Sequence, residues 1–119
     1  MTDIRIRRVY DPPSGDDGAR VLVDRLWPRG LSKDAAGVDE WPKALTPSTE
    51  LRRWYHAGSG GFEEFRGRYE DELAAPEAAG ALEGLRELAR TADRLTLLTA
   101  SKDLEHSHAA VLRAVLAEG

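Results

Sequence analysis

Two short apolar runs, each leading directly into a polar loop, constrain the fold of this chain more than any other feature. The first, at 21–23, precedes Asp24 and a loop that reaches Gly30, and the second, at 95–98, precedes Thr99. Short apolar runs bounded by turn-forming residues are typical of strands buried in an α/β sheet. The sequence therefore predicts an α/β fold, with a small and mostly parallel sheet flanked by helices, as a single compact domain over residues 1–119.

The rest of the pattern predicts a further strand and four helices. Alternating apolar and basic residues from Ile4 to Val9 predict a strand with one exposed face. Capping residues at 46–49 predict a short helix that stops at Gly58, and apolar spacing predicts helices over 62–73 and about 78–91, separated by Pro76. A last helix is expected from the turn at 99–101 to about residue 117, and 11–18 is expected to be a mobile surface loop.

Composition narrows the classes of function. The chain has 119 residues, a net charge of -4 and a pI near 5.4. A protein held to nucleic acid by bulk electrostatics needs a basic face, so nucleic acid is not a favoured partner. The absence of cysteine removes disulfides, a thiolate nucleophile and thiolate metal sites, and no apolar segment is long enough to indicate a membrane protein. We expect a cytoplasmic protein with no cofactor and no metal.

The loop after the second strand is a candidate anion site. Arg25 and Arg29 are fixed cations whose planar donor groups suit carboxylate or phosphate, and Pro28 restricts the backbone between them. In open α/β sheets, small molecules bind beyond the carboxyl ends of the strands. Arg25 could instead pair with Asp24, and Arg29 could simply be solvated. We expect a small anionic ligand here.

The turn after the third strand offers a second group of polar residues. Ser101 can cap the expected helix, and Asp103 in its first turn complements the helix dipole. Lys102 opposes that dipole unless an anion lies between it and the free backbone N–H groups. The alternative is an ion pair from Lys102 to Asp103 or Glu105.

The histidines near the last helix do not predict a metal site. Residues two apart on a helix point roughly 200° apart, so His106 and His108 cannot chelate one ion together. His108 falls on the apolar stripe, where a histidine is either packed or catalytic. The structural interpretation is an imidazole bonded to a backbone carbonyl or to Asp24, and the functional one is a general acid or base.

Further candidates lie on the short helix and among the aromatic residues. Arg52 and His56 are four apart, which places them on one helical face, where they could hold a ligand together or face water. Trp27 and Trp54 could stack on a ligand, but in a domain with two phenylalanines they are expected more to fill the core.

Three separated blocks resemble the YeaO-like proteins, a branch of the bacterial family called domain of unknown function 488. They span Val23–Gly30, Pro47–Trp54 and Ala100–His108. The resemblance covers nearly the whole chain and implies a compact α/β domain whose loops gather at one end of the sheet. It implies no particular reaction. The wider family commonly carries Cys-His-Arg in its last helix, where this chain has Ser107, His108 and Ala109.

On that resemblance, the following residues match motif positions of the branch: Arg25, Trp27, Arg29, Arg52, Trp54, His56, Lys102 and Asp103. The convergence of polar groups at the strand ends suggests their roles: the arginines and Lys102 would bind the anion, His108 and Asp103 would move protons, and Ser101 or Thr99 would orient water or substrate. Hydrolysis or group transfer on a small anionic metabolite or nucleotide is then the first hypothesis. The alternative is a non-catalytic module that senses a ligand or contacts a protein. RNA binding is the weakest hypothesis, and the sequence does not predict an oligomeric state.

Overall fold

The computed structural model describes residues 3–118, and a three-stranded parallel sheet forms its centre. Strands β1 (Asp3–Arg8), β2 (Ala19–Leu22) and β3 (Arg94–Thr99) lie in the order β1-β3-β2. The structure confirms the predicted α/β class. Because β1 and β2 both pair with β3 in parallel, the carboxyl ends of all three strands lie at one edge of the sheet.

Five helices complete the domain. They are α1 (Lys33–Ala36), α2 (Thr49–His56), α3 (Phe62–Leu73), α4 (Pro76–Ala92) and α5 (His108–Glu118), with 3-10 turns at Lys43–Leu45 and Leu104–His106. The predicted bounds of α3 are confirmed. None of the helices within 3–118 has the length and apolar character needed to cross a membrane.

Alternation along the strands divides the core between the two faces of the sheet. Val21, Val23 and Leu97 pack against the layer formed by α2 to α5. Leu22 and Leu98 point to the opposite face, where partly buried residues of the segment that follows β2 cover them. Both faces are therefore buried, which explains the adjacent apolar residues Val21 and Leu22 in β2 and Leu97 and Leu98 in β3.

The two edges of the sheet differ. The outer edge of β2 is covered by backbone bonds, since the N–H of Leu22 donates to the carbonyl of Glu40 over 2.9 Å. On β1 the N–H of Val9 donates to Thr99 over 2.9 Å, so odd-numbered residues direct their backbone groups toward β3. The N–H groups of Ile4 and Ile6 consequently point away from the sheet, and β1 is an open edge within the described residues.

Local sequence explains the ends of the helices. Ser48 caps α2 by accepting from the N–H of Leu51 over 3.1 Å, and Gly58, with φ of 75°, ends it. Glu72 on α3 accepts from both the backbone and hydroxyl of Ser48, at 2.8 and 2.6 Å, which fastens α3 to the start of α2. Pro76 begins α4, where its missing N–H costs nothing, so it lies at the boundary with α3 as predicted while α4 starts two residues before the predicted residue 78.

The loop over 11–18 is anchored by a buried carboxylate. Asp17 is 1% exposed and accepts two bonds of 2.9 Å from Arg7 as well as one of 2.5 Å from Arg20. Arg20, itself 4% exposed, donates further to the carbonyl of Ala36. The prediction of a mobile surface loop was therefore wrong at Asp17, which joins β1, β2 and α1.

We predict that Asp17→Ala lowers the free energy of unfolding by about 3 kcal/mol, because it leaves the buried Arg20 guanidinium without its carboxylate. Urea denaturation at neutral pH measures this change. The matched control is Asp16→Ala, which removes a carboxylate that is 66% exposed and should cost no more than about 0.5 kcal/mol. Equal costs for the two variants would show that Asp17 is not the anchor.

Candidate functional site

A cavity of about 530 Å³ lies where the segments that follow β2 and β3 meet α2, α3 and the start of α5. Four separated stretches of the chain line it, at 24–25, at 47–56, at Phe65 and at 100–108. This is the position that the sequence predicted, beyond the carboxyl ends of the strands.

Asp24 ties the carboxyl ends of β2 and β3 together at this cavity. Its Oδ1 accepts from the Thr99 hydroxyl over 2.7 Å, and its Oδ2 accepts from the backbone N–H of Ala100 over 2.8 Å. His108 Nε2 lies 2.9 Å from Oδ1. Three donors from β3, the following loop and α5 therefore converge on one carboxylate, which is 17% exposed.

The charge of Asp24 is stabilised by these donors. Burial alone would raise the pKa of this carboxyl group, but the bonds from His108, the Ala100 N–H and Thr99 outweigh burial and hold its pKa below the usual value. Asp24 is thus an anion at neutral pH, fixed in position by its bonds.

His108 contacts a backbone carbonyl and Asp24, the two partners that the sequence analysis gave as alternatives for a structural histidine. Its Nε2 lies 3.0 Å from the carbonyl of Val23 and 2.9 Å from Asp24. Since both neighbours are acceptors, Nε2 must carry a hydrogen and donate it. With this hydrogen on Nε2, Nδ1 is the nitrogen that has a lone pair when the ring is neutral. The ring is 13% exposed and lines the cavity.

Three fixed cations line the cavity without partners. No ion pair or side-chain hydrogen bond joins Arg25, Arg52 or Lys102 to another residue within 3–118, whereas arginines such as Arg20 and Arg94 are paired with carboxylates. Predicted pairs of Arg25 with Asp24, and of Lys102 with Asp103 or Glu105, are not formed. The three side chains leave their donors free for a ligand.

The loop before α5 differs from the prediction. The last helix begins at His108, not near Ser101, because 101–103 are irregular and a 3-10 turn follows them. Ser101 therefore does not cap the helix, and Lys102 does not lie in its first turn. The start of α5 nevertheless lines the cavity through Ser107 and His108, so its positive dipole end lies at the cavity.

Asp103 and His106 form part of the rim of the cavity. His106 Nδ1 lies 2.8 Å from Asp103 Oδ2, and both side chains are more than half exposed. The hydroxyl of Tyr55 donates to the carbonyl of His106 over 3.0 Å, which holds the loop against α2. Asp103 is thus engaged with His106 and lies far more open to solvent than Asp24.

The structure brings together seven of the ten residues predicted for the site. Those that line the cavity are Arg25, Arg52, His56, Ser101, Lys102, Asp103 and His108. Arg29 lies outside it, and its carbonyl accepts from Tyr10. Trp27 packs edge-on to Trp41, with ring centroids 5.4 Å apart, and Trp54 lies under the Arg68 guanidinium.

Sequence reasoning missed the apolar part of the lining. Pro47, Tyr55 and Phe65 contribute to the cavity. Tyr55 stacks on Phe65, with centroids 4.4 Å apart and an interplanar angle of 18°. The signal in the sequence was weak, because Phe65 has the same spacing as the core residues of α3. Tyr55 could have been suspected, since it lies between Arg52 and His56 on α2.

The donor set does not indicate a metal centre. Within 3–118 there is no group of three or more histidine, aspartate or glutamate side chains arranged to hold a metal ion. Ser107, which on the family resemblance takes the position of a cysteine, is bonded to the backbone. Its hydroxyl donates to the carbonyl of Leu104 over 2.8 Å, and the residue is 4% exposed.

Comparison with known proteins decides the family. The model of a family described as the inactive DUF488-N3 subclade matches residues 3–119. The chain is a YeaO-like member of the DUF488 family. It is 46% identical over 110 residues to the uncharacterized protein YeaO of Escherichia coli K12, which covers 92% of the chain and 93% of the relative. No solved structure gave a significant match.

Mycobacterial relatives extend the likeness over nearly the full length of this DUF488 domain. It is 45% identical over 115 residues to the uncharacterized protein Rv3073c of Mycobacterium tuberculosis H37Rv, and the same figures hold for Mb3100c of Mycobacterium bovis. In each case the match covers 97% of the chain and 94% of the relative. The resemblance inferred from three sequence blocks is thereby confirmed for the whole domain.

We predict that Asp24→Ala lowers the free energy of unfolding by about 2 to 4 kcal/mol at pH 7, because the N–H of Ala100 and the hydroxyl of Thr99 lose their acceptor. The pKa of Asp24 is depressed in the folded state, so its contribution is complete above the ordinary aspartate pKa of 3.8 and is lost as pH falls through the folded value. The difference from the wild type should therefore narrow below about pH 4.

Urea denaturation at pH 5 and pH 3 measures that difference, with Asp24→Asn as the matched control that keeps an acceptor for Thr99 but carries no charge. A difference between Asp24→Ala and the wild type that stays constant between the two pH values would contradict a depressed pKa for Asp24.

Proposed function

We propose that this domain is a non-catalytic binding module for a small organic or inorganic anion, with phosphate or carboxylate as the recognised group. The observation that carries the proposal is the convergence of Arg25, Arg52 and Lys102 on one cavity with no carboxylate partner among the described residues. An anion bound among these side chains would give them the oppositely charged partner that they lack.

The start of α5 supports the same ligand chemistry. Ser107 and His108 bring the positive end of an 11-residue helix to the cavity, and free N–H groups of a first helical turn favour an anion. The cations come from three different segments, so the site depends on the folded chain and not on one basic stretch of sequence.

Binding without chemistry is favoured by the groups that are already engaged. Ser107 donates to a backbone carbonyl, and Nε2 of His108 donates to Asp24 and Val23. Within 3–118 no serine or threonine hydroxyl is bonded to His108, as an activated nucleophile would be. The description of the matching family as an inactive subclade agrees with this proposal.

Proton transfer is the second candidate function, and the pair of Asp24 and His108 favours it. A carboxylate that fixes one ring nitrogen leaves the other to act on a water or a substrate. Hydrolysis or group transfer on a small anionic metabolite would then use Nδ1 of His108 as the base. This function requires that a bound ligand be converted, which the experiment below measures directly.

We predict that phosphate or carboxylate compounds raise the melting temperature of the wild type, by several degrees at about 100 times the dissociation constant. The variant Arg25→Gln, Arg52→Gln, Lys102→Gln should lose this stabilisation. Differential scanning fluorimetry at fixed ionic strength, with inorganic phosphate, phosphomonoesters and carboxylates as probes, measures the shift.

The matched control is Lys33→Gln, Lys43→Gln, Arg53→Gln, which removes the same number of exposed charges outside the cavity. Equal shifts in both triple variants would reject the anion site. Phosphorus and proton NMR of the ligand after prolonged incubation separates the two functions. An unchanged ligand supports binding, and a converted ligand whose conversion stops in His108→Asn supports proton transfer.

A further inference from the structure

The cavity is too large and too apolar for an inorganic anion alone. Its volume of about 530 Å³ lies within the range of pockets that hold drug-sized organic molecules. The cations account for only part of the lining, and Tyr55 and Ala100, which are both partly exposed, supply carbon surface beside them. A bound phosphate ion would leave this surface in contact with water, which forfeits the free energy of burying it.

The apolar lining is flat and aromatic. Tyr55 is partly exposed and stacks on Phe65 with an interplanar angle of 18°, while Phe65, at 2% exposure, only supports Tyr55 from behind. The Tyr55 hydroxyl already donates to the carbonyl of His106, so Tyr55 is not free to donate to a ligand and offers mainly ring carbon. Aromatic faces and edges pack best against other flat rings, which favours a ligand with an aromatic body.

The charges of the lining limit the charge of the ligand. Arg25, Arg52 and Lys102 stand against the carboxylates of Asp24 and Asp103, which leaves one excess positive charge before any histidine is protonated. Asp24 is held as an anion by its three donors. A polyphosphate would bring more negative charge against these carboxylates, whereas one carboxylate or one phosphate group, with a charge of about −1 to −2, lies closer to the excess.

We infer, on the basis of the proposed anion site, that its ligand is an aromatic compound bearing one phosphate or carboxylate group, with the anionic group at the three cations and the ring against Tyr55. The ligand class is thus an aryl monoester or aryl acid, and neither an inorganic ion nor a polyphosphate.

The test is a titration series on the wild type by isothermal calorimetry at fixed ionic strength. The probes are inorganic phosphate, pyrophosphate, glycerol phosphate, phenyl phosphate and naphthyl phosphate. We expect phenyl phosphate to bind at least about tenfold more tightly than inorganic phosphate or glycerol phosphate, and naphthyl phosphate to bind more tightly still, because each ring buries more apolar surface. Pyrophosphate should gain nothing over phosphate.

Variants at Tyr55 test the ring contact. Tyr55→Leu should reduce the ratio of the affinities for phenyl phosphate and inorganic phosphate about tenfold or more, while Tyr55→Phe, which keeps the ring, should preserve the ratio. The wild-type probe series needs no variant, so the inference remains testable even where Tyr55→Leu fails to fold.

The outcomes separate this inference from the proposed function. Equal affinities for phenyl phosphate, glycerol phosphate and inorganic phosphate, all lost in the Arg25, Arg52, Lys102 triple variant, would overturn the aromatic ligand and leave the anion site standing. Tighter binding of pyrophosphate would do the same. Binding of no probe, or binding that the triple variant retains, would reject both.

Discussion

The carboxylate of Asp24 is the interaction on which the candidate site depends. It receives a hydroxyl from β3, a backbone N–H from the loop after β3 and a ring nitrogen from α5. Trp41 supports it from the opposite face of the sheet, since its Nε1 donates to the Asp24 carbonyl over 2.7 Å. At this end the N–H of Val23 donates to the carbonyl of Leu98 over 3.0 Å, and Asp24 adds side-chain bonds that continue the link beyond this backbone bond. Arg25, next to Asp24, and Lys102, two residues after Ala100, reach the cavity on segments that this carboxylate positions.

The charged side chains at the site fall into two groups, those that have bonded partners and those that have none among the described residues. Asp24 and His108 bond to each other and to nearby backbone groups, so these two side chains are fixed in position at the cavity. Within residues 3–118, Arg25, Arg52 and Lys102 have no carboxylate partner on the lining, whereas Arg20 is paired with Asp17. The fold therefore does not depend on ion pairs of these three cations, and an anionic ligand for them is our proposal.

Much of the architecture could be predicted from the sequence, because it follows from local patterns. The strands are encoded by apolar runs and alternation, and α3 by an apolar stripe of four-residue steps. Family blocks and strand ends together indicated where the cavity lies. The start of α5 could not be predicted, because Ser101 and Ser107 both resemble caps and only packing selects between them. Asp17 was equally hidden, since its arginine partners lie on strands and its own neighbours are all turn formers.

The direction in which loop side chains point was the second feature that could not be predicted from the sequence. Arg25 and Arg29 are alike in type and lie four residues apart on one loop, but only Arg25 faces the cavity. Gly30, at the end of this loop, has a φ of 78°, which is a left-handed backbone conformation. The direction that it gives to the chain depends on the residues around it. Trp27 could likewise be placed only once Trp41, fourteen residues later, was found beside it.

The open edge of β1 has a consequence for how copies of this domain meet in a crowded solution. Its outward N–H groups are a template for another strand, and an antiparallel pairing of two copies centred on Ile6 would set Arg5 opposite Arg7 of the second copy. Like charges directly opposite one another destabilise such a pair. The arginines that hold Asp17 inside the molecule thus also protect the strand from edge-to-edge aggregation, so one set of side chains serves both folding and colloidal stability.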